Sequence, residues 1–270
     1  MTPSTTLPII QMFWHGAPLS RMERLSIASF VKNGHAVNLY VYDELSAVPA
    51  GVQIRDAAEI LPRGSLFRHK RTQSLALFAD WFRYRLLLRD GGIWADADVV
   101  CLKPFDYAGN TEVYAWQDEH YINNAVLGLA AGHPLAQWLA DCCERPNQLL
   151  PYDGFAIRLR KLQRRVLWGH RRDKVRWGES GPKGLTHAAR YLGYADKALP
   201  SWHFYPVSPA GFWRLFESPV EGKPLDFNGS RAVHLWNHLL EERPGHNKNS
   251  RFPADSPFER LCGQYLGAEG

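Results

Sequence analysis

The sequence has few of the features that would take it away from an ordinary folded domain. Only four of its 270 residues are cysteine: Cys101, Cys142, Cys143 and Cys262. None stands in a C-x-x-C spacing, and a vicinal pair is a poor start for a disulfide framework, so reduced thiols and a cytoplasmic location are expected. No run approaches the ~18 apolar residues of a membrane-spanning helix. The opening residues, MTPSTTLPIIQMFW, lack the basic and apolar regions of a signal peptide. Internal repeats and low-complexity segments are absent. His203, His234, His238 and His246 crowd the C-terminal part of the chain, but without a zinc-site spacing.

What is present fits a globular α/β protein. Hydrophobic residues make up 45% and charged residues 22%, and the length suits one large domain. The net charge of +5 permits phosphate-bearing ligands, nucleic acid or an anionic membrane surface, and selects none of them. Ten tryptophans offer either core volume or flat faces for rings.

Leu7–Trp14 reads as a buried strand. Ser20–Val31 reads as a helix, with Ser20 and Glu23 forming a capping box and Asn33-Gly34 ending it. Ala36–Tyr42 alternates as a second strand, so a βαβ unit and a parallel sheet are expected. Thr72–Arg89 carries Leu75, Phe78, Ala79, Phe82 and Leu86 on one helical face. Asp80 and Arg83, three apart, share another. Asp90-Gly91-Gly92 stops this helix, and Ile93–Val100 follows as a strand. Short strands are expected at Val113–Trp116 and Ala125–Leu129, with a weaker signal after Asp141. Arg158–Arg176 holds nine Lys or Arg against one Asp. It suits a basic amphipathic helix touching anionic lipid or phosphate, or equally a solvated surface helix. From Pro200 onward the chain reads as loop-rich.

The chemistry-bearing segment is Trp94-Ala95-Asp96-Ala97-Asp98. In an extended segment residues two apart share a face, so these three are expected to project together near a strand's carboxyl end. Two carboxylates there can hold Mg²⁺ or Mn²⁺, whose open positions take substrate phosphates. Unpaired carboxylates in an apolar strand would be costly, which calls for a nearby cation, either Arg83 or a metal.

The stretch FADWFRYRLLLRDGGIWADADVVCLKPF resembles the signature of DXD-containing sugar transferases, and glycosyltransferase family 32 in particular. That family includes capsule and lipopolysaccharide sugar transferases, with the clostridial glucosylating toxins as more distant kin. Four further segments resemble it in order: IIQMFWHG, QDEHYINNAVLGLAAGHP, GPKGLT and AVHLWN. The resemblance implies a GT-A type Rossmann-like α/β fold with a small C-terminal acceptor-side annex. It is expected to be one domain over 1–270, with donor binding in about 1–140 and acceptor and closing segments in about 141–270. It further implies retaining transfer, a Mn²⁺ or Mg²⁺ ion, and a UDP-sugar donor in preference to a GDP-sugar. The acceptor would be a glycan or a lipid-linked one, and no nucleic acid is expected.

Carried over by position, Phe13 and Trp14 would hold the base, Trp14 by stacking. Asp80 and Arg83 would contact the sugar and a phosphate. Trp94, Gly181, Pro182, Trp236 and Asn237 would complete the donor site. Asp96 would lie by the ribose and metal, Asp98 would bind the metal, and His234 would join it. Asn123 or Asn124 would position the sugar, with Asp118 and Glu119 as alternative carboxylates. Two positions depart from the family pattern: Ala79 where Ser is frequent, and Trp94 where Tyr is usual.

Other readings stay open at this stage. Asp80 with Arg83 can be a plain surface pair, and Trp14, Trp94 and His234 can be core residues. A glycoside hydrolase is disfavoured because Asp96 and Asp98 are too close to flank a glycosidic bond. A basic nucleic-acid or anionic-membrane binder built on 158–176 would bind with steep salt dependence and no metal. A degenerate, nucleotide-binding transferase is the other alternative.

Overall fold

A computed structural model describes residues 7–16, 18–107, 109–176, 178–220 and 225–267. The chain opens on β1 (Ile10–Trp14), buried except at its last residue. α1 (Arg21–Lys32) follows with the expected capping box: the Ser20 hydroxyl accepts from the Met22 N–H, and Glu23 accepts from the Ser20 N–H. β2 (Val37–Val41) pairs parallel with β1 and closes the βαβ unit. β3 (Val52–Asp56), which the sequence pattern does not single out, adds outside β2.

α2 (Ala76–Asp90) starts later than the expected Thr72. Thr72 and Ser74 instead use their hydroxyls on the backbone N–H groups of Ser74 and Ala76, which is turn chemistry rather than helix. The helix is buried on most sides, so Asp80 and Arg83 lie inside with Phe78, Phe82 and Leu86. Gly91 ends it at φ +68°.

β4 (Gly92–Ala95) is where the sequence reading needs correction. Ile93–Val100 does not run as one strand. Asp96-Ala97-Asp98 is a turn, closed by the Val99 N–H on the Asp96 carbonyl at 3.0 Å. β5 (Val99–Cys101) then leaves the main sheet. Trp94, Asp96 and Asp98 therefore do not share a strand face. The turn, not the pleat, sets where the two carboxylates go.

β6 (Val113–Trp116) matches the expectation, and β7 (Ile122–Leu129) begins early enough to include Asn123 and Asn124. α3 (Pro134–Glu144) buries Leu135, Leu139 and Cys143. In the basic region, α4 (Phe155–Trp168) begins before Arg158 and stops at Gly169; a short 3₁₀ turn at Arg172–Lys174 follows. α5 (Pro182–Leu192) is next. The expected loop-rich tail holds β8 (Ala232–His234), α6 (Asn237–Glu241) and α7 (Pro257–Leu266). β8 pairs antiparallel with β5 in a separate two-stranded sheet.

The main sheet has the order β3-β2-β1-β4-β7-β6. β7 runs antiparallel to both of its neighbours. One face is covered by α1, α7 and the segments around Phe105, Phe204 and Phe216. The other carries α2, α3 and α5. This is the Rossmann-like α/β layout expected of a GT-A type domain. The closing segments are built into it: α7 packs on α1, where Glu259 receives both terminal nitrogens of Arg21. Strand order reverses between β1 and β4, whose carboxyl ends carry Trp14 and Asp96. That crevice is where open α/β sheets bind ligands.

Gly91 fixes the turn from α2 into β4. It needs positive φ, and an added Cβ would lie 2.7 Å from the Ala131 backbone nitrogen. Gly91→Ala is expected to lower unfolding free energy by about 1–3 kcal/mol in urea titration. A loss under about 0.5 kcal/mol would contradict this role.

Candidate active site

At the carboxyl end of β4 a buried guanidinium ties helix to turn. Arg83, 3% exposed, donates to Asp80 at 3.2 Å and to Asp96 at 2.5 Å. It lies 4.7 Å over the Trp94 ring. The Trp94 indole N–H also donates to Asp96, at 2.7 Å. Both donors fall on Oδ1, which leaves Oδ2 of Asp96 for a ligand. Trp94 is thus a buried support for Asp96, and its N–H does the work a phenol would have done.

The network continues from Asp80. Asn124 Nδ2 donates to Asp80 at 2.8 Å, and the Ser180 hydroxyl to its other oxygen at 2.7 Å. Tyr84 reaches the same place: its hydroxyl accepts from Asn124 and donates to the Ser180 carbonyl. Gly181 abuts this cluster, since a Cβ there would stand 3.5 Å from Asp80. Pro182 begins α5, and Thr186 ties that helix to β7 by accepting from the Ile122 N–H. GPKGLT is therefore the hinge that brings α5 against Asp80. Ser180 and Tyr84 were not singled out in the sequence; the signal for Tyr84 was its position four residues after Asp80, on the same helical face.

Asp98 is held from the other side. Its carboxylate accepts from the Asn237 backbone N–H at 3.0 Å and pairs with His234 Nε2 at 3.1 Å. β8 delivers His234 opposite Val99, and the Leu235 N–H bonds the Asp98 carbonyl. Burial pushes the Asp98 carboxyl up, but His234 and the Asn237 N–H outweigh it and hold it at about 2. Burial also pushes Asp96 up, reinforced by the Asp98 charge and opposed by Arg83.

Asp96, Asp98 and His234 offer ligand atoms within 4.8 Å of one another. Two carboxylates and an imidazole suit Mn²⁺ or Mg²⁺. His234 turns Nε2 to the Asp98 carboxylate at 3.1 Å, so that nitrogen and that carboxylate can share one ion. These residues fit a divalent ion.

The other expected residues divide. Trp14 ends β1 half-buried, with the Lys248 ammonium 5.3 Å from its ring centroid. The Phe13 ring is packed in the core, 4.5 Å from that of Phe82, so its side chain is not presented to a base. Trp236 is buried against His234 and donates to the Val207 carbonyl. Asn123 is spent on Gln117 and on the Ala125 N–H. Asp118 accepts from the backbone N–H groups of His120 and Tyr121, and Glu119 is exposed. Of the amide and carboxylate candidates, Asn124 is the one bonded into the Asp80–Arg83–Asp96 network.

A divalent ion that binds the folded state alone raises its stability by about 2.7 kcal/mol at a hundred times its Kd. MnCl₂ is expected to raise the thermal midpoint of the wild type and to leave Asp98→Ala unmoved. An equal shift in both proteins, or none in the wild type, contradicts the assignment.

Several known proteins are similar to this chain. Residues 35–115 match the family described as "Glycosyltransferase sugar-binding region containing DXD motif". The chain is 25% identical over 201 residues to the human alpha-1,4-N-acetylglucosaminyltransferase, covering 70% of this chain and 50% of that protein. It is 28% identical over 179 residues to the Mus musculus lactosylceramide 4-alpha-galactosyltransferase, covering 63% of this chain and 44% of that one. The chain thus matches about half the length of these curated relatives. Among solved structures, the PaToxG glycosyltransferase aligns with a TM-score of 0.41 at 15% identity, covering 69% of this chain and 70% of its own. The matched segment contains Asp80, Arg83, Asp96 and Asp98, and over residues 35–115 the chain is similar to the DXD-containing sugar-binding region of glycosyltransferases.

Proposed function

We propose that the protein is a retaining glycosyltransferase. It moves a hexosyl or N-acetylhexosaminyl group from a nucleotide sugar, with UDP favoured over GDP, to a glycan or lipid-linked acceptor. The observation that carries this reading is the meeting of Asp80–Arg83–Asp96 with Asp98–His234 at the reversal of strand order. Asp98, His234 and the free oxygen of Asp96 would hold a divalent cation, which would supply positive charge against the departing diphosphate.

The chain's own groups then take distinct roles. Trp14 offers a ring face for the base at the end of β1. Asp80, fixed by Arg83, Asn124 and Ser180, is oriented to accept from donor sugar hydroxyls. Arg83 keeps Asp96 in place as well as meeting the donor. Asn124 is an amide, a poor nucleophile, so the reading needs no covalent sugar–enzyme intermediate. The bond from C1 to the diphosphate breaks as the acceptor oxygen bonds to C1 on the same face. The acceptor proton passes to a diphosphate oxygen. The relatives' names specify α-linked transfers, in line with retention from an α-linked donor.

The four free thiols support a cytoplasmic location. No helix among the described residues is long and apolar enough to cross a membrane. The exposed Arg158 and Arg165 of α4 support a peripheral contact with an anionic membrane.

A panel of nucleotide sugars with Mn²⁺ tests the reading, with donor turnover and product configuration read together. The wild type is expected to consume a UDP-sugar and give an α-linked product by NMR. Asp98→Ala is expected to lose ~100-fold or more in rate while keeping its fold. Unchanged turnover in Asp98→Ala, or full activity in excess EDTA, would sink the reading, and a β-linked product would refute retention.

A further inference from the structure

On the far side of Ser180 from Asp80, α2, α3, α4 and α5 enclose a cavity of about 300 Å³. Part of its lining is apolar, from Leu77, Trp81, Leu139 and Ile157. Its charged lining is unbalanced: Arg160, Lys161, Arg164, Arg172, Arg176 and Lys183 stand against Asp153 and Glu179. Asp153 pairs with Lys161 at 2.8 Å and Glu179 with Arg164 at 2.9 Å, which uses up both acids. Arg172 lies 4.1 Å over the Trp81 ring and spends its Nε on the Cys143 carbonyl. The side chains of Arg160, Arg176 and Lys183 have no hydrogen-bond or ion-pair partner among the described residues. Arg164 keeps a buried Nε without a partner as well. Burial, then Lys183 and Arg190, pushes His187 at the lining below its ordinary value, as expected beside uncompensated positive charge.

The helix that roofs the cavity is turned inside out. α4 directs Ile157, Arg160, Lys161 and Arg164 toward the cavity, and Lys161 is its buried residue. Phe155, Leu159, Leu162 and Val166, spaced four, three and four apart, face water, with Phe155 83% and Val166 86% exposed. A surface helix of a globular domain does the reverse. Within the cavity, a ligand that is only anionic would leave the apolar wall unexplained, and one that is only apolar would leave the cations unexplained.

We propose that this cavity takes an amphipathic anion, a phosphate-type headgroup carried on an alkyl or prenyl body. The headgroup meets Arg160, Arg176 and Lys183, and the body lies along the apolar wall of Leu77, Trp81, Leu139 and Ile157. Ser180 lines the cavity and donates to Asp80, so such a ligand ends one side chain from the site assigned to the donor sugar. On the glycosyltransferase reading, it is the acceptor. The charge is what distinguishes this ligand from a neutral glycolipid, which would gain no attraction from the three exposed cations.

The test uses the full chain without metal or nucleotide, and titrates dodecyl phosphate, dodecyl maltoside and inorganic phosphate below micellar concentration by calorimetry. Dodecyl phosphate is expected to bind about ten-fold or more tightly than either control. The exposed pair Arg160→Glu with Arg176→Glu is expected to remove that preference while Mn²⁺-dependent UDP binding stays at the wild-type level. Equal binding of the phosphate and the maltoside overturns the proposal, as does undiminished binding by the double variant. Inorganic phosphate binding as well as dodecyl phosphate would make the site one for free phosphate and overturn the amphiphile. UDP binding without dodecyl phosphate binding removes this inference alone; the converse removes the donor assignment and leaves the anion site standing.

Discussion

A guanidinium buried at 3% exposure is tenable only because carboxylates meet it on two sides. Arg83 is that group, and much of the site's order follows from it. Desolvating an unpaired charge costs several kcal/mol, so removing either Asp80 or Asp96 would leave an expensive remainder. The pairing also fixes geometry. It joins the middle of α2 to the turn after β4, and through Asp80 it reaches Asn124 on β7 and Ser180 before α5. Elements far apart in sequence thereby share one rigid polar cluster, whose oxygens are set before any ligand arrives.

Asp98 belongs to a different support. The small sheet of β5 and β8 holds it, through His234 and the Asn237 N–H. α1 steadies the same region, as the Ser26 hydroxyl donates to the Val99 carbonyl and the Cys101 N–H donates to Ser29. The two carboxylates of the D-x-D turn are thus anchored to separate parts of the fold and converge across two residues. That arrangement keeps like charges close despite their repulsion, and it makes a cation the natural third member.

Local signals in the sequence were read well where the physics is local. The Ser20–Glu23 capping box, the glycine stop at Gly91 and the strand at Val113–Trp116 all involve neighbours within a few residues. The break at Asp96 is hidden because Ala95–Asp98 alternates apolar and polar residues between apolar flanks, as a strand does. What ends β4 is a change of partner, from β7 to β8, and a strand more than a hundred residues away writes no mark on the local pattern. α3 is legible in the spacing of Leu135, Leu139 and Cys143, which share one helical face. In the basic stretch that follows, the charge was evident, while the inversion of α4 was not, since it depends on what α2, α3 and α5 leave beneath it. Phe13 shows the same limit from the other side: an aromatic at a strand end suits a base platform or a core, and packing against Phe78 and Phe82 decides for the core.

On the proposed function, this turn and β8 together form a cation site facing a bound nucleotide. Anomalous diffraction at the manganese edge from crystals grown with MnCl₂ and UDP tests it most directly. The account predicts one strong peak at about 2.0–2.3 Å from Asp98 and within reach of His234, with the diphosphate completing its ligands. A peak elsewhere, or a bound diphosphate with no manganese between it and Asp98, would contradict it.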